Sequence, residues 1–251
     1  MTATHVVIII AVGVVAGGVN TIVGSGSLLT FPTLLALGYP AVLANVSNTV
    51  GLISGSVSGA VGYRRELKGQ ARRILVLIPA LVVGTVIGAV LLLELPGSVF
   101  RHVVPALILF AVFLIIIQPR VQRRRAAAGR RVEHPGPQLQ IGLFLTSIYG
   151  GYFGAGMGIM LLALFAISLD DDLQRLNGAK NVIAAAINGV AAIFFVIRTH
   201  VDWDVASLLL VGSTVGGQIG AHYGRRIPPN VLRLMIVVVG TGVAIKLLIS
   251  G

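Results

Sequence analysis

Continuously apolar runs, each about 20 residues long, occupy nearly the whole 251-residue chain. A helix needs about 20 such residues to cross the roughly 30 Å hydrocarbon core of a bilayer. Apolar residues make up 56% of the chain and charged residues 11%, whereas an average soluble domain is about 25% charged. Transmembrane β-strands alternate apolar and polar residues, and these runs do not. The sequence therefore predicts an all-α polytopic membrane protein without a separate soluble domain.

The basic residues predict how the helices are oriented. Five apolar segments are predicted in the first half, over residues 5–23, 28–37, 41–63, 74–93 and 102–117, and Arg and Lys concentrate after the third and fifth. Short basic loops stay on the cytoplasmic side of a membrane. We predict that residues 64–73 and 118–136 are cytoplasmic, and that residues 198–204 and both termini are external. Because the net charge of +11 is explained by these loops, nucleic-acid binding is not expected.

The second half of the chain repeats the first at an offset of 130 to 133 residues. Four motifs of the first half recur in the same order in the second half. Gly24-Ser25-Gly26 matches Gly154-Ala155-Gly156, Asn48 matches Asn181, Gly84 matches Gly216, and Pro96 matches Pro228. Residues 1–117 and 137–251 are therefore interpreted as two copies of one unit, joined by a basic linker over residues 118–136. The basic loops give equivalent segments opposite directions, so we predict inverted-topology repeats. Each would hold three longer spans and one glycine-started short helix that either spans or re-enters.

Two glycine clusters precede the short segments and are candidate binding sites. They contain Gly24, Ser25, Gly26 and Ser27 in the first repeat, and Gly154 and Gly156 in the second. A helix that starts inside the membrane has unpaired N–H groups and partial positive charge at that end, which attracts anions. The alternative is that these glycines only allow close helix packing.

Polar residues inside apolar segments complete the candidate site: Asn20, Ser47, Asn48, Lys180 and Asn181. Burying Lys180 in a membrane costs about 2.5–3.5 kcal/mol, so it either faces an anion or extends its amine to the membrane surface. The two asparagines either donate to the anion or hold helices together. Asp170, Asp171 and Asp172 are interpreted as a loop that caps the next helix. Motifs of enzymes, metal sites and cofactor sites are lacking, and cysteine is absent.

A family resemblance rests on these same motifs. The stretch GGVNTIVGSGSLLTFP over residues 17–32, followed by Asn45, Ser47 and Asn48, and the recurrence of Gly154-Ala155-Gly156 and Lys180-Asn181 resemble the sulfite exporter TauE/SafE family of membrane permeases over essentially the full length. The resemblance implies transport of small sulfur-containing or organic anions across the bacterial inner membrane, often outward, without ATP hydrolysis by the protein.

The expected function is that of a multi-pass secondary transporter of a small anion such as sulfite or a sulfonate. It is expected to work by alternating access and to export the anion. The lipid bilayer and the anion are its expected partners, no cofactor is expected, and self-association into a homo-oligomer is left open. Two alternatives remain at this point, a passive channel for anions or neutral solutes and a membrane subunit that transports nothing itself.

Overall fold

A computed structural model describes residues 1–126, 136–169, 171–223 and a few isolated positions between 234 and 245. This part of the chain contains nine α-helices and no strand: α1 (Ala3–Ile22), α2 (Ser27–Ala36), α3 (Ala41–Gly62), α4 (Ala71–Glu94), α5 (Gly97–Ala126), α6 (Pro137–Tyr152), α7 (Met157–Ser168), α8 (Leu173–Arg198) and α9 (Trp203–Tyr223). The prediction of an all-α chain is confirmed for these residues. The prediction of three longer helices in each repeat is wrong for the first repeat, which has four longer helices, α1, α3, α4 and α5, beside the short α2. Residues 127–135 of the linker between the repeats lie outside the described residues, as do most positions after Tyr223.

Helix length and composition fit a membrane. Within the described residues, α1, α4 and α8 are long and apolar enough to cross a bilayer. α3 and α9 have 22 and 21 residues but contain more glycine, serine and threonine. The predicted segments agree with the helices to within a few residues, except that α5 begins five residues earlier than predicted and continues to Ala126.

α2 and α7 are short because a turn separates each of them from the helix before it. α2 has 10 residues and α7 has 12, which gives lengths of roughly 15 and 18 Å at 1.5 Å per residue. Neither helix is long enough to cross a hydrocarbon core of about 30 Å. Both follow a longer helix after a turn of four residues, 23–26 and 153–156.

Small residues let the longer helices pack closely. α1 packs along α9, and α4 along α6. A Cβ on Gly17 of α1 would lie 2.7 Å from the Cα of Ser213, and one on Gly84 of α4 would lie 2.5 Å from the carbonyl oxygen of Phe144. Since real Cβ atoms do not approach so closely, glycine is required at these helix crossings.

The helix contacts define two ends of the molecule. At one end, which we call the basic end, the α3–α4 connection meets the start of α8, where Gln70 Nε2 donates to the carbonyl of Arg175 at 3.0 Å. At the opposite end the α8–α9 connection meets the start of α3, where the N–H of Asp202 donates to Ser47 Oγ at 2.9 Å. α3 and α8 therefore pack against each other in opposite directions. Residues 64–73 and 198–204 lie at opposite ends.

Candidate functional site

The turns 23–26 and 153–156 meet in the interior of the helix bundle. The N–H of Gly158, in the first turn of α7, donates to the carbonyl of Gly24 at 3.0 Å. A Cβ on Gly24 would lie 2.5 Å from the Cα of Gly158. Gly24, Gly154 and Gly156 have φ values of +87°, +72° and +75°, a left-handed conformation that favours glycine. The two glycine clusters predicted from sequence are thus brought together, with the starts of two short helices beside them.

Ser25 places an unused hydroxyl at the first turn. Its side chain is 1% exposed, and its Oγ has no hydrogen-bond partner among the described residues. The N–H groups of Ser25 and Gly26 donate to no other described backbone group. Ser27 begins α2 and is only half-buried. Hydroxyl and N–H donors at the start of a helix are suited to binding an anion.

Gly26 and Gly156 also have packing roles, which the sequence left as the alternative. A Cβ on Gly26 would collide with the carbonyl oxygen of Ala16 and lie 2.9 Å from the Cβ of Asn20. A Cβ on Gly156 would lie 2.8 Å from the Cβ of Ala111. Enlarging either glycine would therefore disturb helix packing, whether or not a ligand occupies the turns.

Lys180 lies in α8 and is fully buried, with 0% exposure. Its Nζ donates to the carbonyl oxygens of Asn20 and Thr21, both at 3.0 Å. These two carbonyls belong to the last turn of α1, where backbone acceptors lack partners within the helix. The alternative in which the amine reaches the membrane surface is wrong, because the helix end holds it inside the bundle.

Two amides join Lys180 at the end of α1. Asn177 and Asn181 each donate from Nδ2 to the carbonyl of Thr21 at 3.3 Å. Three oxygens at this place are buried without a hydrogen-bond partner: Thr21 Oγ1, Asn177 Oδ1 and Asn181 Oδ1. Thr21 is not among the site residues that the sequence predicts. Its position directly after Asn20 in a glycine-rich stretch was the available signal, but a lone threonine in an apolar segment is common.

The other predicted polar residues have separate partners. Asn20 donates from Nδ2 to Ser56 Oγ at 3.0 Å. Asn48 accepts from the hydroxyl of Thr30 in α2, which leaves its amide nitrogen as the group that can donate to a ligand. Ser47 accepts from the N–H of Asp202 and so serves the end opposite the basic end. The structure therefore joins Asn20, Lys180 and Asn181 in one cluster and places Ser47 outside it.

Asp171 forms an ion-pair network at the basic end. Its carboxylate lies 2.8 Å from Arg73 Nη1 of α4 and 2.7 Å from Arg175 Nε of α8. Burial raises the pKa of Asp171, but hydrogen bonds from both arginines and from the Asp172 N–H outweigh it, so the pKa is below its usual value. Asp172 is the N-cap of α8 and accepts from the N–H of Gln174 at 2.8 Å, which confirms its predicted capping role.

Three features of this structure are typical of helical membrane transporters. They are long apolar helices, two short helices that begin inside the bundle, and a buried polar cluster beside the turns before the short helices. The chain belongs to the Sulfite exporter TauE/SafE family, whose model matches residues 9–247. The resemblance noted in the sequence is thereby confirmed, and the chain is a membrane protein of a transporter family.

Relatives across bacteria match nearly the whole chain. A probable membrane transporter protein of Haemophilus influenzae is 24% identical over 231 residues, covering 92% of this chain and 89% of the relative. The probable membrane transporter protein YfcA of Escherichia coli K12 is 25% identical over 240 residues, covering 94% and 87%. YdhB of Bacillus subtilis, also a probable membrane transporter protein, is 21% identical, with coverage of 92% and 94%. No solved structure matches the chain significantly.

Proposed function

We propose that the chain is a secondary transporter that moves a small sulfur oxyanion or sulfonate across the bacterial inner membrane by alternating access, in the export direction. The observation that carries this proposal is the meeting of the two turns. The hydrogen bond from Gly158 N–H to the Gly24 carbonyl brings the starts of α2 and α7 together inside the bundle, and both starts present partial positive charge. An anion held there would contact both halves of the chain.

Helix packing supports the inverted repeat on which this mechanism depends. The repeat offset relates α1 to α6 and α4 to α9. The contact of α1 with α9 then has its counterpart in the contact of α6 with α4. A Cβ on Gly216 would collide with the carbonyl of Val14, and a Cβ on the equivalent Gly84 would meet the carbonyl of Phe144, which is the residue equivalent to Val14. The opposite directions of α3 and α8 agree with this relation.

The ligand groups are those that an oxyanion can use. We assign the unpaired hydroxyl of Ser25, the N–H groups of Ser25 and Gly26, and the free amide nitrogen of Asn48 as donors. Ser27, Gly154 and Gly156 belong to the same two turns. Lys180 acts through the end of α1, because its ammonium donates to the carbonyl oxygens of Asn20 and Thr21. Its charge still raises the potential at the neighbouring Ser25 turn.

The test is counterflow in proteoliposomes with a panel of sulfite, thiosulfate and small alkyl sulfonates. We expect saturable exchange of at least one compound. Ser25→Ala should raise its half-saturation concentration about tenfold, because a hydrogen bond to a charged ligand contributes about 1.5–3 kcal/mol. Ser147→Ala is the matched control, since Ser147 Oγ is also fully buried and unpaired but lies outside both turns.

The alternatives predict other outcomes of the same assay. Flux that does not saturate and carries measurable single-channel current would identify a channel. Absence of flux for every compound would favour a subunit that needs a partner protein. An equal effect of Ser25→Ala and Ser147→Ala would remove the turns from the binding site.

A further inference from the structure

Lys180 occupies a position that has the chemistry of a cation site. It is the only charged side chain among the buried residues of the described part of the chain. Its two acceptors, the carbonyl oxygens of Asn20 and Thr21, lie in the last turn of α1, whose end at Ile22 carries partial negative charge. No described carboxylate lies within ion-pair distance of its Nζ. The ammonium is thus balanced by dipoles of the helix end and not by an opposite charge.

The surroundings of this helix end are rich in oxygen atoms. Besides the two carbonyls, the buried oxygens Thr21 Oγ1, Asn177 Oδ1 and Asn181 Oδ1 have no hydrogen-bond partner. Backbone carbonyl oxygens and the C-terminal ends of interrupted helices are the groups that coordinate the coupling cation in secondary transporters. The Lys180 ammonium at the end of α1 therefore lies where a free cation would bind.

Other titratable groups on the helices packed against α8 and on α1 lie near helix ends or on α6. They are His5 on α1, Tyr63 after α3, Arg72, Arg73 and Glu94 on α4, Tyr149 and Tyr152 on α6, and Asp171, Asp172, Arg175 and Arg198 at the two ends of α8. Among the described lysine and acidic side chains of these helices, Lys180 is therefore the one that is positioned to exchange a proton inside the bundle.

We propose that Lys180 is the proton-binding group that couples anion transport to the proton gradient, with its ammonium held in the cation site at the C-terminal end of α1. This inference rests on the transport function proposed above. When α1 and α8 separate in the transport cycle, the ammonium loses both carbonyl partners. An unpartnered charge inside the membrane is costly, so the proton leaves to water on the open side and the amine is neutral. Because ammonium and anion attract each other, proton and anion cross together. The inward proton gradient of the inner membrane then opposes export, which is driven by the outward concentration gradient of the anion and carries a proton out with it.

The first experiment measures flux of radiolabelled methanesulfonate in proteoliposomes, since this anion does not change its own charge near neutral pH. For one proton per anion, a lumen one pH unit more alkaline than the outside should drive about tenfold accumulation, because one pH unit corresponds to 1.36 kcal/mol. In Lys180→Met, the accumulation should fall to about onefold, while exchange of internal for external methanesulfonate stays measurable at a higher concentration of the anion, because the positive charge beside the Ser25 turn is lost. Lys180→Arg, which keeps the charge but does not release its proton, should also accumulate the anion only about onefold.

Arg198→Met is the matched control, because Arg198 is an exposed basic residue in the last turn of the same helix. It should keep the tenfold accumulation. Two results would overturn the inference and leave the proposed transport function intact. In one, the wild-type protein exchanges methanesulfonate but does not accumulate it in response to the pH gradient. In the other, Lys180→Met still accumulates it in response to that gradient.

The second experiment does not depend on transport. Lys180→Ala removes the tethered ammonium and keeps the oxygen atoms, so a small cation should enter the vacated space. We expect NaCl to raise the melting temperature of the purified Lys180→Ala variant by about 2–4 °C over N-methylglucamine chloride at equal ionic strength. The wild-type protein and Lys180→Met, whose side chains fill the space, should not respond.

The two experiments separate the ways of failing. If no anion exchanges in the wild-type protein, the transport function fails, and the sodium measurement alone decides whether the end of α1 is a cation site. If Lys180→Ala melts at the same temperature in both salts, or if all three proteins respond equally to sodium, the assignment of a cation site is overturned.

Discussion

The break after α1 is held by a buried charge, whereas the equivalent break after α6 is held by a neutral amide and aromatic rings. At the end of α1, Lys180 donates to two carbonyls, and Asn177 and Asn181 add two further contacts. At the end of α6, Asn45 donates to the carbonyl of Tyr152 at 3.1 Å. Lys180 in α8 and Ser47 in α3 are equivalent in the repeat alignment, and the serine instead serves the connection after α8.

Aromatic rings surround the second break. The hydroxyl of Tyr149 donates to the carbonyl of Ala155 within the turn. The ring of Phe153 lies 5.1 Å from that of Phe31 and 5.9 Å from that of Phe100, both edge to face. Such ring pairs stabilise by about 0.5–1.5 kcal/mol each beyond their buried area. The second turn is therefore fixed by one hydrogen bond and by ring packing, whereas the break after α1 carries unpaired hydroxyl and amide oxygens.

This difference separates what the repeats share from what they do not. Both keep the glycines that let the turns form and the helices cross, because backbone approach leaves no room for side chains. They differ at the positions that touch the ends of α1 and α6. We infer that the first break carries the ion chemistry and that the second is the rigid support against which it acts.

The contact between the two turns gives the largest expected effect. Gly24→Ala should lower the free energy of unfolding by about 3 kcal/mol, since the added Cβ meets the backbone of Gly158 and the φ of +87° is unfavourable for alanine. Gly38→Ala is the control: its φ is +90°, but nothing lies within 4 Å of the added Cβ, so about 1 kcal/mol is expected. Thermal unfolding of purified protein in detergent measures both. Equal losses would mean that the two turns do not touch.

The side chains that donate to the ends of α1 and α6 differ, and replacing them should give the next largest loss of stability. Lys180→Met leaves the buried Asn20 carbonyl without its donor and removes a charged donor from the Thr21 carbonyl, to which Asn177 and Asn181 still donate, and it should cost about 2 kcal/mol. Asn45→Leu removes one neutral donor and should cost about 1 kcal/mol. Denaturation of the two variants under identical conditions compares them. A larger loss for Asn45→Leu would reverse the proposed ranking of the two breaks.

The sequence predicted the elements well because their signals are local. Apolar length identified the helices, glycine clusters placed both turns, and the acidic run placed the cap at Asp172. The distribution of Arg and Lys along the chain correctly anticipated that residues 64–73 and 198–204 lie at opposite ends. The helices, the turns, the cap and the positions of these loops depend on residues that are close together in the sequence or on the internal repeat of the sequence.

The partners of the polar residues could not be predicted in the same way. Lys180 and the carbonyls of Asn20 and Thr21 are about 160 residues apart, and a backbone acceptor leaves no mark in the amino-acid sequence. A periodic pattern shows which face of a helix is buried but not which helix it meets or at what depth. For the same reason, the contact of Gly26 with α1 could not be distinguished from open space for a ligand.

The tyrosines of α6 test whether the second turn is held by a specific bond or by packing alone. Tyr149→Phe removes the hydroxyl that binds the Ala155 carbonyl and should cost about 1 kcal/mol. Tyr152→Phe keeps its edge-to-face contact with Phe100 and should change stability by less than about 0.5 kcal/mol. Chemical denaturation of the two variants resolves the difference. Equal, small effects would show that the rings suffice to hold the turn.

The connections before α3 and α8 extend the comparison to the ends of the molecule and give the smallest effect. The connection before α8 carries Asp171, paired with Arg73 and Arg175, whereas the equivalent connection before α3 has Pro40 as N-cap and no side-chain cap. The arginine side chains are 20% and 35% exposed, so solvent screening keeps the contribution of the network below about 1 kcal/mol.

The contribution of the Asp171 ion-pair network to stability depends on pH, and the lowered pKa of Asp171 gives the direction of that dependence. The contribution is fully present above the unfolded pKa of about 3.9 and is lost as pH falls through the lower value of the folded state. Asp171→Asn should therefore melt below the wild-type protein at pH 7, and the gap should close toward pH 3. Glu94→Gln is the control, because Glu94 and Arg198 are 3.9 Å apart and mostly exposed. A gap that stays constant with pH would mean that the Asp171 carboxylate contributes through packing and not through its charge.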